Sequence, residues 1–206
     1  MKRLRPAIVV LITACVVNLT LAKNPPAGNA DTAKAEAGAT MTLAGIKLGR
    51  LALAEDGGLA NDKDTVGGIY DREEAAVKDG INRLKAAGGD KAKIADGIAA
   101  LNAATGESTR YFQANAAVKD KIAKRVTIIR AELGQIAKSP DAYVATLSKC
   151  GLAGSPLAQA KSVVKDASQK AAGQTDDDGI HSARSHVRKM LSAQQAQALD
   201  ANLSGK

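Results

Sequence analysis

Four aromatic side chains in 206 residues, one Phe and three Tyr with no Trp, restrict what this chain can fold into more than any other feature. Sheets that pack face to face are built from aromatic and β-branched residues. Nucleic-acid modules that stack bases need exposed rings. Neither architecture suits this chain. Alanine fills 42 positions, and with Lys, Gln, Leu and Glu it makes a composition of strong helix formers. The predicted fold class is all-α: an extended bundle of four to six helices with one long central helix, after an N-terminal signal peptide. With many Ala and few large apolar side chains the core must be thin and the helices closely packed.

Met1-Lys2-Arg3-Leu4-Arg5 is a basic start, followed by an apolar run of 16 residues from Ala7 to Ala22. A bilayer span needs roughly 20, and the order of cations, apolar core and small residues is that of a secretory signal peptide. Thr20 and Ala22 occupy positions −3 and −1 of a cut before Lys23. The expected organisation is a signal peptide (1–22), a disordered linker (23–40) and a single helical domain (41–206). An alternative cut lies at Ile12-Thr13-Ala14-Cys15, which resembles the lipobox of bacterial lipoproteins and would leave Cys15 lipidated. The expected address is exported and periplasmic, with a membrane-anchored lipoprotein as the alternative.

Losing Lys2, Arg3 and Arg5 with the signal would lower the formal net charge from +8 to +5. No block of five like charges interrupts the alternation of sign, so nucleic acid is not an expected partner. Cys150 would then be the only cysteine of the mature chain. Two readings stand for it: a half-buried small residue near a helix end, or an intermolecular disulfide locking a dimer.

Residues 41–54 read as a short helix weakened by two glycines, and 56–68 as a polar loop. From Asp71 the period is helical: Val77, Ile81 and Leu84 share a face, Gly88-Gly89 interrupts, and Ile94, Ile98 and Leu101 resume. The adjacent glycines favour a hairpin over a kinked helix. Tyr111, Val118, Ile122, Val126, Ile129, Leu133 and Ile136 then step at heptad-like spacing up to Ser139-Pro140, which predicts one helix over 108–138. Its apolar stripe must be covered, and Tyr111, Val118, Ile122, Ile129 and Leu133 are the expected seam for a client or partner. Ser155 as N-cap with Pro156 at the first helical position predicts a further helix. Asp176-Asp177-Asp178 precedes the last helical segment, where carboxylates suit the positive end of the dipole.

The residues do not read as an enzyme. His181 and His186 lie five apart and diverge by roughly 140° on a helix, unlike the i, i+4 pair of a zinc helix. No nucleophile elbow, P-loop or dinucleotide fingerprint is present. Asp62, Asp64, Gly67, Ile69 and Glu73 occupy the slots of a calcium loop, with Val66 where a side-chain oxygen belongs. Calcium at Asp62, Asp64 and Glu73 is therefore the one cofactor alternative, against an ordinary loop that caps the next helix.

Near the C-terminus the chain reads Leu191-Ser192-Ala-Gln-Gln195-Ala-Gln-Ala-Leu199-Asp200-Ala-Asn-Leu203. This resembles the CpxP/Spy-type periplasmic proteins, whose signature is LTxxQ in a setting such as LTPEQRAQLDAL; here Ser192 replaces the Thr. In physical terms Ser192 caps a new helix while Leu191 packs back onto it. The resemblance, over about residues 180–203, implies an exported, all-helical, often dimeric protein. Such proteins act as ATP-independent chaperones or as accessories of envelope stress and metal response. The expected function is thus a non-catalytic periplasmic binding protein with unfolded or envelope proteins as clients and a homodimeric state. The alternatives are a structural or lipid-anchored surface helical protein and a calcium- or transition-metal-responsive module.

Overall fold

The computed structural model describes residues 29–205. The signal-peptide expectation over 1–22, with Cys15 and the cut before Lys23, lies outside the described residues. Within them the chain is all-α and holds no strand, but it holds more helices than the four to six expected. It also forms two compact units, the first ending at Ala123 and the second beginning at Lys124, in place of one domain.

The first unit contains α1 (Asn29–Glu55), α2 (Lys63–Ala86), α3 (Lys91–Ala103), α4 (Gly106–Ala114) and the start of α5 (Ala116–Lys138). α1 overturns two expectations: residues 29–40 are helical, not disordered, and 41–54 is the second half of that helix. The low apolar content of 29–40 is misleading because alanine is both the best helix former and a sufficient contact residue here. Ala35 is buried with Leu84, Ala87, Ile94 and Ile98, and Ala39 with Val77 and Ala104. The second half of α1 buries Ile46, Leu48 and Leu53, whereas over 29–40 the large side chains come from α2 and α3, so this half of α1 needs only to be small. Gly49 carries this furthest: a Cβ there would lie 2.6 Å from the Tyr70 hydroxyl oxygen, so the missing side chain admits the ring.

Between α1 and α2 the expected polar loop shrinks to a single 3-10 turn, Gly57–Leu59, in which Asp56 Oδ1 accepts from Gly58 N–H at 2.9 Å. α2 and α3 form the hairpin that the glycine pair predicts. Gly88 (φ 56°) and Gly89 (φ 91°) take the left-handed conformation open to glycine, and Asp90 caps α3 by accepting from Ala92 and Lys93.

The single helix expected over 108–138 is interrupted at Asn115 (φ −125°, ψ 60°), which separates α4 from α5. Its backbone N–H and its Nδ2 both donate to the Tyr111 carbonyl, each at 2.9 Å. Asparagine's side chain competes for backbone partners in this way and disfavours helix interiors.

The second unit contains the rest of α5, then α6 (Pro140–Lys149), α7 (Gly154–Ala171), α8 (Asp178–Met190) and α9 (Ala193–Leu203). Each helix buries one stripe: Ile129, Leu133 and Ile136 on α5, Tyr143 and Leu147 on α6, Val164 on α7, Ile180 and Val187 on α8, Leu199 on α9. α7 starts two residues earlier than the Ser155 cap predicts, with Ala153 at the cap position. The division into two units follows from this pairing of sequence neighbours. α1, α2 and α3 close one thin core, and α6, α7 and α8 another. Among the described residues no helix is long and apolar enough to cross a membrane.

Candidate functional site

The densest chemistry of the second unit centres on Glu132, whose side chain is fully buried on α5. It lies in the same register as Ile129 and Ile136, three and four residues away, so the stripe that buries those aliphatics also draws in a carboxylate. On α8, Arg184 follows Ile180 by four residues and precedes Val187 by three, and it too is buried, at 2% exposure.

The geometry saturates the carboxylate. Oε1 accepts from the Tyr143 hydroxyl (2.6 Å) and Arg188 Nε (2.9 Å). Oε2 accepts from Arg184 Nε (2.7 Å) and Arg188 Nη2 (2.6 Å). Arg188 also reaches outward to Asp200 on α9, its Nη2 2.8 Å from Oδ1. Arg125 Nη1 donates to Asp200 Oδ2. Three guanidiniums thus face two carboxylates, arranged as an inner layer around Glu132 and an outer one around Asp200.

Burial works against the charge on Arg188, but hydrogen bonding and attraction to Glu132, then to Asp200, outweigh it and hold the guanidinium pKa above its ordinary value. Burial, reinforced by the neighbouring Glu132 charge, pushes the Tyr143 phenol far above the ordinary range and keeps it a donor. Such a network costs much to desolvate and more to break. Both oxygens of Glu132 are occupied by protein donors, which suits it to holding α5, α6 and α8 in register, with α9 joined through Asp200.

A smaller buried contact lies in the first unit. Glu73 Oε1 accepts from Ser108 N–H at 2.8 Å, tying α2 to the start of α4. Beside it, on the surface, Arg72 pairs with Glu107.

The calcium reading does not survive this placement. Asp62 is the N-cap residue of α2, Asp64 lies in its first turn and Glu73 three turns along. At 1.5 Å rise per residue Asp62 and Glu73 are about 16 Å apart along the axis, too far to share an ion. Val66 and Ile69 are buried as helical core, which is why this stretch winds into α2 instead of looping. Among the described residues no three His, Cys, Asp or Glu side chains are grouped to hold a metal. His181 Nε2 meets Asp176 at 3.2 Å, and Asp177 instead caps α8 by accepting from Gly179.

The expected seam is also placed differently. Ile122, Ile129 and Leu133 are buried, and Tyr111 and Val118 are half-buried, so these five residues serve the protein's own packing and form no free face. Cys150 ends α6 at 8% exposure with Asn202 Nδ2 3.7 Å from its sulfur. The thiol is more buried than the half-buried reading expected, and its sulfur is covered in this conformation.

Ser192 and Gln195 form the cap that their chemistry predicts. Ser192 Oγ accepts from Gln195 N–H (3.3 Å) and Gln195 Oε1 accepts from Ser192 N–H (2.9 Å), a reciprocal capping box at the start of α9. Gln195 Nε2 further donates to the Gly151 carbonyl (2.9 Å), fastening α9 to the turn after α6. The six residues of the charged network were not singled out in the sequence, although two signals were present. Glu132 keeps the period of an apolar stripe, and Arg184 interrupts the apolar face of α8. Comparison with family models, with curated proteins and with solved structures finds no match.

Proposed function

We propose that this chain is an exported, non-catalytic helical binding protein of the periplasmic chaperone or envelope-stress accessory type, acting on unfolded or envelope proteins and working as a homodimer. The observation that carries the reading is the Leu191-Ser192-Gln195 segment. Its Gln is used twice, once in the capping box and once on Gly151, so the motif is a built joint between α9 and the body of the second unit. The all-α architecture and the basic charge support the same reading.

Client contact is assigned to the outer side of α1. Met41, at 63% exposure, is the exposed large hydrophobic residue among the described ones, and an unbranched thioether adapts to varied apolar segments. The test is suppression of aggregation of an unfolding client, without ATP, by the chain beginning at Lys23. Protection at stoichiometric amounts is expected, reduced by Met41→Glu with no change in melting temperature. Absence of protection at a several-fold excess refutes the proposal.

A further inference from the structure

Leu199 is the buried residue of α9. Ala196, Ala198 and Leu203 are half-buried, and the hydrogen-bonded and ionic ties of this helix are Gln195 on the Gly151 carbonyl, Asn202 beside the Cys150 sulfur, and Asp200 between Arg125 and Arg188. The layering of the charges makes these ties separable from the core. With Asp200 withdrawn, Glu132 keeps Tyr143, Arg184 and Arg188, so no carboxylate is orphaned in the interior. What is vacated is an enclosed seat for one aliphatic side chain beside the two guanidiniums that held a carboxylate. The seat selects a leucine followed directly by an aspartate on a capped helix. Only Leu191 and Ser192 join α8 to α9, and Leu191 is extended (φ −85°, ψ 137°).

We propose that α9 is a displaceable latch and that the partner its seat accepts is α9 of a second copy of this chain. Exchange of an identical element reproduces every intramolecular contact between protomers and is a low-cost route to a dimer. The complement to the seat is therefore already encoded, in residues 192–203. Displacement also uncovers Cys150, which gives the opening a chemical reporter.

The test uses the full chain and its Asp200→Asn variant, with alkylation of Cys150 read by peptide mass spectrometry and amide exchange followed in parallel. The variant is expected to alkylate roughly ten- to a hundredfold faster, the size of losing a hydrogen-bonded charge pair, while α7 and α8 amides keep their protection. A synthetic peptide of residues 192–206 should restore protection of Cys150 in the variant, and the same peptide carrying Asp200→Asn should not. In sedimentation, wild-type dimer should grow with concentration and dissolve on adding excess wild-type peptide. Unchanged alkylation, or alkylation that rises only together with α7 and α8 exchange, overturns the latch. A peptide that neither protects the thiol nor dissolves the dimer, or a chain monomeric at every concentration, overturns the second copy as occupant.

Discussion

Replacing Glu132 by glutamine tests whether the buried charges are mutually dependent. Glutamine keeps the volume but removes the charge, and turns a donating NH2 group toward guanidiniums that can only donate to it. Arg184, its side chain 3% exposed, has no solvent to turn to. Removing one partner of a buried pair costs about 3–5 kcal/mol, a large share of the roughly 5–15 kcal/mol that stabilises a whole domain. At several degrees per kcal/mol for a unit this small, the melting temperature of the second unit should fall by roughly 15 °C or more. Amide exchange resolves the effect: α6 to α8 should lose protection while α2 and α3 keep theirs. A triple change, Glu132→Leu with Arg184→Met and Tyr143→Phe, removes the inner pair together with the hydroxyl bonded to it and leaves Arg188 to Asp200; it should recover most of the loss, since apolar replacement of a buried pair is often neutral. A loss below about 1 kcal/mol for Glu132→Gln, the range of a surface pair, would refute the reasoning.

Other expectations concern the first unit. Burial raises the Glu73 carboxyl above its ordinary value despite the opposing Ser108 hydrogen bonds. The stability it contributes is therefore full below the unfolded carboxyl pKa, near about 4.3, and is lost as pH rises through the higher folded value. Urea midpoints of Glu73→Gln should fall less than those of wild type between these limits; identical pH profiles would show that Glu73 is not desolvated. Gly49→Ala should destabilise by about 1–3 kcal/mol through forced movement of Tyr70. Gly45→Ala, where a Cβ meets nothing within 4 Å, should stabilise by about 0.5–1 kcal/mol through helix propensity. Equal effects from the two would contradict the close approach at Tyr70.

The elements legible in the sequence were those announced by large aliphatics or by turn chemistry. Val77, Leu84, Ile94 and Ile98 marked α2 and α3, Gly88-Gly89 the hairpin, Ser139-Pro140 the end of α5, and Ser192 the cap of α9. What was not legible has physical causes. The helix over 29–40 is built on alanine, which contributes no periodic contrast because contact residues and exposed ones look alike. Asp62 to Glu73 has the spacing of an ion loop, yet Val66 and Ile69 gain more by burial in a helix. Asn115 breaks the long seam through its own side chain, a local effect that apolar spacing does not register. The Glu132 network joins residues up to 75 positions apart, Arg125 to Asp200, and pairings of that range are set by tertiary packing alone.

The burial of Tyr143 against Glu132 has an optical consequence. Tryptophan is absent, and Tyr143 is the single tyrosine of residues 124–206. Its phenol is bonded to a carboxylate and held from ionising. Phenolate absorbance from this ring therefore requires the second unit to open, while Tyr70 and Tyr111 report on the first. Each unit carries its own native chromophore, and an alkaline difference spectrum of Tyr143→Phe against wild type would follow the unfolding of the second unit with no added label.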